Sequence, residues 1–494
     1  MIEEYRAWII LACVVAFFAM CIGVGLWAMR RTNSAHDFFM AGRDLGFIVT
    51  AVAVFSSTMS GFGFVGGPGL VYRMGMSSGW MLICTGFSYT ICFFLLAKRL
   101  RILAEVREAI SLPAAVEARY SSRLAGGLTA LAILLGVVGY LGTQILAMAT
   151  VFQQVLSAVM PFELSLPVCA FISVGLLVFY CVTGGIIASV YTDLAQGIIM
   201  MIASVLVFFA VLASVEGGIS AMSETIMQDD RGAMGPWGTK GMFGALSWYL
   251  VFSLGLSGQP HVITKFMMSR KVEDARYTLP VTVFGFGLTA LLWLGIGLAM
   301  RTLVLQGQHP SLERADGAAA EFLQSYTHPV LAGVVFAGLF AAIMSTADSF
   351  LNIGAAAVVH DIPRALTGKP LPNELKAARI ATIVIAILAT IFALYSGDLV
   401  ALLGAFGWGT FAAALVPTVA IGFNWKRATP LAACVAIVAS LVINFTLKVS
   451  GIAIPYSIDA GAVALLVSLT LFLGISFVSK PPKLESDIEA VLDF

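Results

Sequence analysis

Charge is the scarcest thing in this chain. Of its 494 residues only 11% are Asp, Glu, Lys or Arg, and the formal net charge is +1. A soluble domain carries about 25% charged residues, so neither a soluble catalytic domain nor a basic nucleic-acid surface is implied. Histidine is as thin, with five residues and no metal or nucleotide motif around them. The seven cysteines (Cys13, Cys21, Cys84, Cys92, Cys169, Cys181 and Cys434) all fall in apolar stretches at no ligand-like spacing. They read as small buried residues, not as disulfides or ligands. Long polar connections are also few, at about 215–240, 306–328, 100–123 and 360–376. Enzyme chemistry has nowhere to sit.

What fills the chain is hydrocarbon: 60% hydrophobic residues and a mean hydropathy of +0.96. Spans of ~20 apolar residues can be drawn about thirteen times, which makes this an all-α polytopic membrane protein with the lipid bilayer as its main partner. The first span, near 7–29, is too long and too closely followed by others to be a cleaved signal peptide. Placing the N-terminus outside puts every Lys and Arg on the inner side except Arg6, Arg73, Arg231, Lys240, Arg301, Arg314 and Lys448. That bias sets N outside and C inside a cytoplasmic (inner) membrane. Lys265, Arg270, Lys271 and Arg276 then belong to one inner loop. Glu485 to Phe494 forms an acidic cytoplasmic tail, disordered at its tip.

Polar side chains in such a setting are costly and mark function by default. Ser345-Thr346-Ala347-Asp348-Ser349 lies inside the apolar stretch 330–358. On a helix Ser345, Asp348 and Ser349 share one face, with Thr346 beside it. Their oxygens suit a hard cation, although bonds from Ser and Thr to their own helix backbone would account for the hydroxyls alone.

Two spans are interrupted. Ser60 to Gly69 holds five glycines and a proline in ten residues, at ~1 kcal/mol per Gly and ~3 kcal/mol per Pro against a helix. Leu254 to His261 repeats the pattern with Gly255, Gly258 and Pro260. Close helix packing through small residues is the plainer reading; two such breaks at corresponding places point to an inverted-repeat transporter. Carbonyls freed near Ser56 and Met59, the hydroxyls of Ser345 and Thr346, and the carbonyl of Ala342 would make a five-oxygen cage suited to a sodium ion. Asp193, in Tyr191-Thr192-Asp193, reads either as part of a second cation site or as an acid ending a helix. Thr183 to Ala188 before it reads as a tight hairpin.

With these residues in view, the chain resembles the solute:sodium symporter family, nearest its sodium/proline and pantothenate branches, from about residue 5 to 480. The matching segments are Phe38 to Arg43, Met59-Ser60-Gly61, Ala188 to Asp193, Gly258-Gln259-Pro260-His261 and Ala341 to Thr346. The resemblance implies a LeuT-type five-plus-five inverted repeat with broken first and sixth core helices. Its parts would be an extra N-terminal helix and inner loop (1–44), repeats at 45–214 and 241–424, two C-terminal helices (425–480) and the tail (481–494). It implies sodium at Ser56, Met59, Ala342, Ser345 and Thr346. A second cation in some relatives corresponds to Asp193, Ser345, Asp348 and Ser349. The solute would lie between the breaks, near Gly61, Phe62, Tyr140, Phe252, Leu256, Gln259 and Trp408. Phe62, Phe252 and Leu256 stand where proline carriers of the family have Trp, Trp and Tyr, so the pocket is less polar than theirs.

The expected activity is sodium-coupled symport of a small carboxylate-bearing solute, an amino acid such as proline or a monocarboxylate or vitamin. A proton-coupled carrier using Asp193 or Asp348 is the alternative. A non-transporting solute sensor is a distant one, since such proteins carry a long signalling domain. No nucleic acid and no obligate protein partner is implied.

Overall fold

The structure is a computed structural model that describes residues 4–30, 45–162, 164–397 and 399–494. Phe38 to Arg43 lies outside the described residues, as do the side chains of Thr183, Gly184, Gly185, Ile187 and Ala188. The described residues are almost wholly helical. We number the elements that build the site: α1 (Arg6–Met29), α2 (Phe47–Thr58), α3 (Gly67–Met74), α4 (Arg123–Ser157), α5 (Leu166–Ser214), α6 (Met242–Gly255), α7 (Pro260–Met267), α8 (Pro329–Ala356), α9 (Val400–Leu415) and α10 (Ser486–Leu492).

Ten helices among the described residues are long and apolar enough to cross a membrane. The sequence count of about thirteen is higher by three: the crossings at 45–72 and 241–264 are broken into shorter pieces, and that at 163–184 is matched only by the shorter apolar helix Leu166–Phe179. The break in the first is at Met59 and Ser60, after which a π-helical turn, Phe62–Gly66, leads into α3. Pro68 sits in the first turn of α3, where its missing N–H costs nothing. In the second, a 3-10 turn (Leu256–Gly258) and an extended Gln259 precede Pro260 at the start of α7. The expected hairpin at Thr183–Ala188 is absent; that backbone is helical within α5.

Unbroken α8 runs through the middle. Pro329 opens it, the ring of His328 accepts from the amide of Val330, and nearly every residue from Val335 to Asn352 is buried. It packs on α1, α4 and α5 and touches α2 and α7. α8 is the wall on which both broken helices converge.

The tail departs from expectation. α10 buries Ile488, Val491 and Leu492, an i, i+3, i+4 face. Arg107 binds Glu485 at 2.5 Å and Asp487 at 2.6 Å, while Lys426 binds Glu489 at 3.0 Å and Asp493 at 2.8 Å. The Arg107 guanidinium holds both of its carboxyl partners below their usual range. Lowered carboxyls stabilise docking fully above ordinary carboxylate pKa values, ~3.9 to ~4.3, and lose that as pH falls through the lowered values. Arg107→Ala is therefore expected to free α10 at neutral pH, and acid to free it in the wild type. Tryptic cleavage after Lys483 reads the variant at neutral pH and pepsin cleavage of the tail reads the acid arm; equal tryptic protection in the variant would refute it.

Candidate functional site

The last turn of α2 faces α8 through hydroxyls and carbonyls. Ser345 Oγ donates to the carbonyl of Ser56 at 3.0 Å and lies 3.1 Å from that of Ala342. Thr346 Oγ1 donates to the carbonyl of Ser57 at 2.8 Å and lies 3.4 Å from Ala342 O. Each hydroxyl thus bonds back to its own helix, as the plainer reading expects, and also reaches a carbonyl in the last turn of α2. In the other direction Ser57 Oγ donates to the carbonyl of Ser345 at 3.2 Å. Every one of these residues is buried.

Four of the five expected cage residues, Ser56, Ala342, Ser345 and Thr346, are thus brought together. Ser57, which was not expected, supplies a further carbonyl and a hydroxyl. Met59 is one residue beyond the end of α2; it is buried, and its amide donates to Phe55 O at 2.8 Å. Among the described residues no hydrogen bond ties it to Ser345 or Thr346.

The acids have separate partners. Asp348 Oδ1 accepts from Ser189 at 2.9 Å and lies 3.4 Å from Ser349 Oγ. Asp193 Oδ2 is 2.8 Å from the ammonium of Lys265, with the two side chains 0% and 1% exposed. Lys265 is no loop residue. All eight residues of α7 are buried, because the break leaves a half-helix too short to carry its end into solvent.

Each break is satisfied by a glutamine. Gln144 of α4 accepts the amide of Gly61 at 2.9 Å. Gln259 donates to the carbonyls of Gly255 and Trp408 at 3.1 and 3.2 Å. A buried amide or carbonyl left alone costs ~1–3 kcal/mol, so these bonds offset part of the cost of the breaks. Gln144 was missed, although a lone amide in an apolar span is itself a signal.

The expected solute residues surround the same breaks in two groups. Phe62 stacks on Phe252 at 5.9 Å, Phe252 on Trp408 at 5.2 Å, and Trp293 meets Phe62 edge-on at 5.2 Å. Gly404 permits this pile: a Cβ there would lie 2.5 Å from the Phe62 ring. Tyr140 forms the other group, 3.4 Å from Ser60 Oγ and with its ring 6.2 Å from His261. Leu256 is buried at the second break and Gly61 at the first. His261 and Trp293 were not among the expected residues.

Two helices interrupted midway, with oxygen atoms gathered between the first and an unbroken third, define a cation-coupled secondary carrier. The SSF: Sodium:solute symporter family matches residues 38–439, and the chain belongs to this family. It is a sodium-coupled symporter of a small solute, not an enzyme. It is 27% identical to the osmoregulated proline transporter OpuE of Bacillus subtilis (strain 168), covering 96% of this chain and 95% of the relative. It is 26% identical to a sodium/proline symporter of Staphylococcus aureus (strain JH9), over 87% and 84% of the two chains. The fold is LeuT-type. A Na⁺-coupled sialic acid symporter in a substrate-bound outward-open state superposes with a TM-score of 0.79 at 21% identity, covering 97% of this chain and 99% of that one. Mhp1, a nucleobase-cation-symport-1 family transporter, gives 0.57 at 13% identity, over 92% and 98%.

Proposed function

We propose that this carrier imports a small carboxylate-bearing solute, an amino acid such as proline or a monocarboxylate or vitamin, together with sodium. The observation that carries the reading is the reach of Ser345 and Thr346 from α8 to the carbonyls of Ser56 and Ser57 at the first break. A sodium ion held among these oxygens and Ala342 O ties α2 to α8, favouring the outward-open arrangement; its release inside frees the bundle. Met59 and its carbonyl complete the cage on this reading.

The solute lies between the breaks, against Gly61, Phe62, Tyr140, Phe252, Leu256, Gln259 and Trp408. The two relatives are named for proline, while Phe62, Phe252 and Leu256 make a pocket less polar than and differently shaped from that of proline carriers. The repeats span 45–214 and 241–424. The N-terminus is outside and the C-terminus inside a cytoplasmic (inner) membrane, as the Lys and Arg bias supports. One sodium charge moving down 100 mV gives ~2.3 kcal/mol, and a tenfold gradient ~1.4 kcal/mol more. Together ~3.7 kcal/mol permits ~500-fold accumulation.

A proton-coupled carrier is the second reading, favoured by the buried Asp193 and Asp348. Uptake into proteoliposomes tests both, using labelled small carboxylates and amino acids, proline included, with external sodium or choline. Uptake of one compound only with sodium is expected. Uptake equal in both salts and abolished by a protonophore would replace the sodium reading with the proton one.

A further inference from the structure

Lys265 spends its donors in one direction. Its Nζ is 2.8 Å from Asp193 Oδ2 on α5, 2.9 Å from the carbonyl of Ala53 on α2, and hydrogen-bonded to the hydroxyl of Ser57. A carboxylate, a carbonyl and a hydroxyl are the oxygen types that ligate a hard cation. An ammonium has three N–H donors, and here each has an oxygen to meet. Ser57 links this cluster to the other: its carbonyl accepts from Thr346, and its hydroxyl lies 3.4 Å from Ser349. The ammonium therefore shares Ser57 with the candidate sodium cage, meeting its hydroxyl where the cage uses its carbonyl.

We propose that Lys265 is a tethered cation that takes the place of a second coupling ion. Its ammonium occupies the oxygens of Asp193, Ser57 and Ala53, so the carrier binds one sodium ion per cycle, at Ser345 and Thr346. The inference rests on the sodium-symport reading. It differs from a merely structural ion pair in what removal of the lysine does. A structural pair leaves an empty, destabilised site. A tethered cation leaves a negatively charged oxygen cluster that a mobile cation can enter.

Equilibrium binding of radioactive sodium to the purified full-length carrier tests this without knowledge of the solute. The wild type and Lys265→Arg are expected to saturate at one ion per chain. Lys265→Met is expected to saturate at two. Two ions on the wild type would overturn the proposal, and that result needs no variant to fold. So would one ion on a Lys265→Met carrier whose tryptophan fluorescence and melting show it folded. Asp193→Asn combined with Lys265→Met removes the charge that would draw the second ion, and it returns the count to one; a count of two there also overturns it. No saturable sodium binding to the wild type would sink the symport reading itself, which keeps the two failures apart.

Discussion

Alanine at Ser345 or Thr346 is expected to raise the sodium concentration for half-maximal uptake about tenfold or more. Each change deletes one oxygen that α8 directs at the first break, at 3.0 Å from Ser56 O and 2.8 Å from Ser57 O. Interactions of polar groups with a charge are worth ~1.5–3 kcal/mol, and ~1.4 kcal/mol is a factor of ten. The loss falls on the ion and leaves the aromatic pile intact, so the maximal rate at saturating sodium should change far less. Thr346→Ser keeps an oxygen at the same place and should stay near wild type. Sodium titrations of uptake in proteoliposomes decide the matter. An unchanged sodium dependence in both alanine variants would remove this cage as the coupling site.

The breaks were legible in the sequence because Gly and Pro act locally: five glycines and Pro68 in one span, Gly255, Gly258 and Pro260 in another. The hydroxyls were legible because side-chain oxygen is scarce in an apolar helix. Which carbonyl faces them was not, because every residue carries one. The choice between Ser57 and Met59 depends on where α2 stops relative to α8, a tertiary fact. Lys265 was misplaced for a similar reason. Its charge looked like the start of a loop, and only the packing of α7 against α2 shows what Asp193 pairs with. The tail carries its apolar face in plain view at Ile488, Val491 and Leu492. Seven residues make no stable helix alone, and the partner that docks them, Arg107, is far away in the chain.

Asp193→Asn is expected to be the most damaging single change away from the cage. It leaves the Lys265 ammonium buried, 1% exposed, with no opposite charge and only neutral oxygens to meet: Ala53 O, the Ser57 hydroxyl and the introduced amide. Removing one member of a buried pair typically costs ~3–5 kcal/mol, whereas replacing both by apolar groups of similar size is often neutral or better. Asp193→Leu with Lys265→Met should therefore melt close to the wild type, and well above Asp193→Asn. Thermal unfolding of the purified carriers in detergent, followed by tryptophan fluorescence, makes the comparison. Sodium adds a second axis. An ion that binds only the folded carrier stabilises it by ~2.7 kcal/mol at a hundred times its dissociation constant. The double variant keeps Ser345 and Thr346, so sodium should still raise its melting temperature. If Asp193→Asn melted like the wild type, the pair would not hold α2, α5 and α7 together, and the contacts of α8 alone would have to account for the assembly of the site.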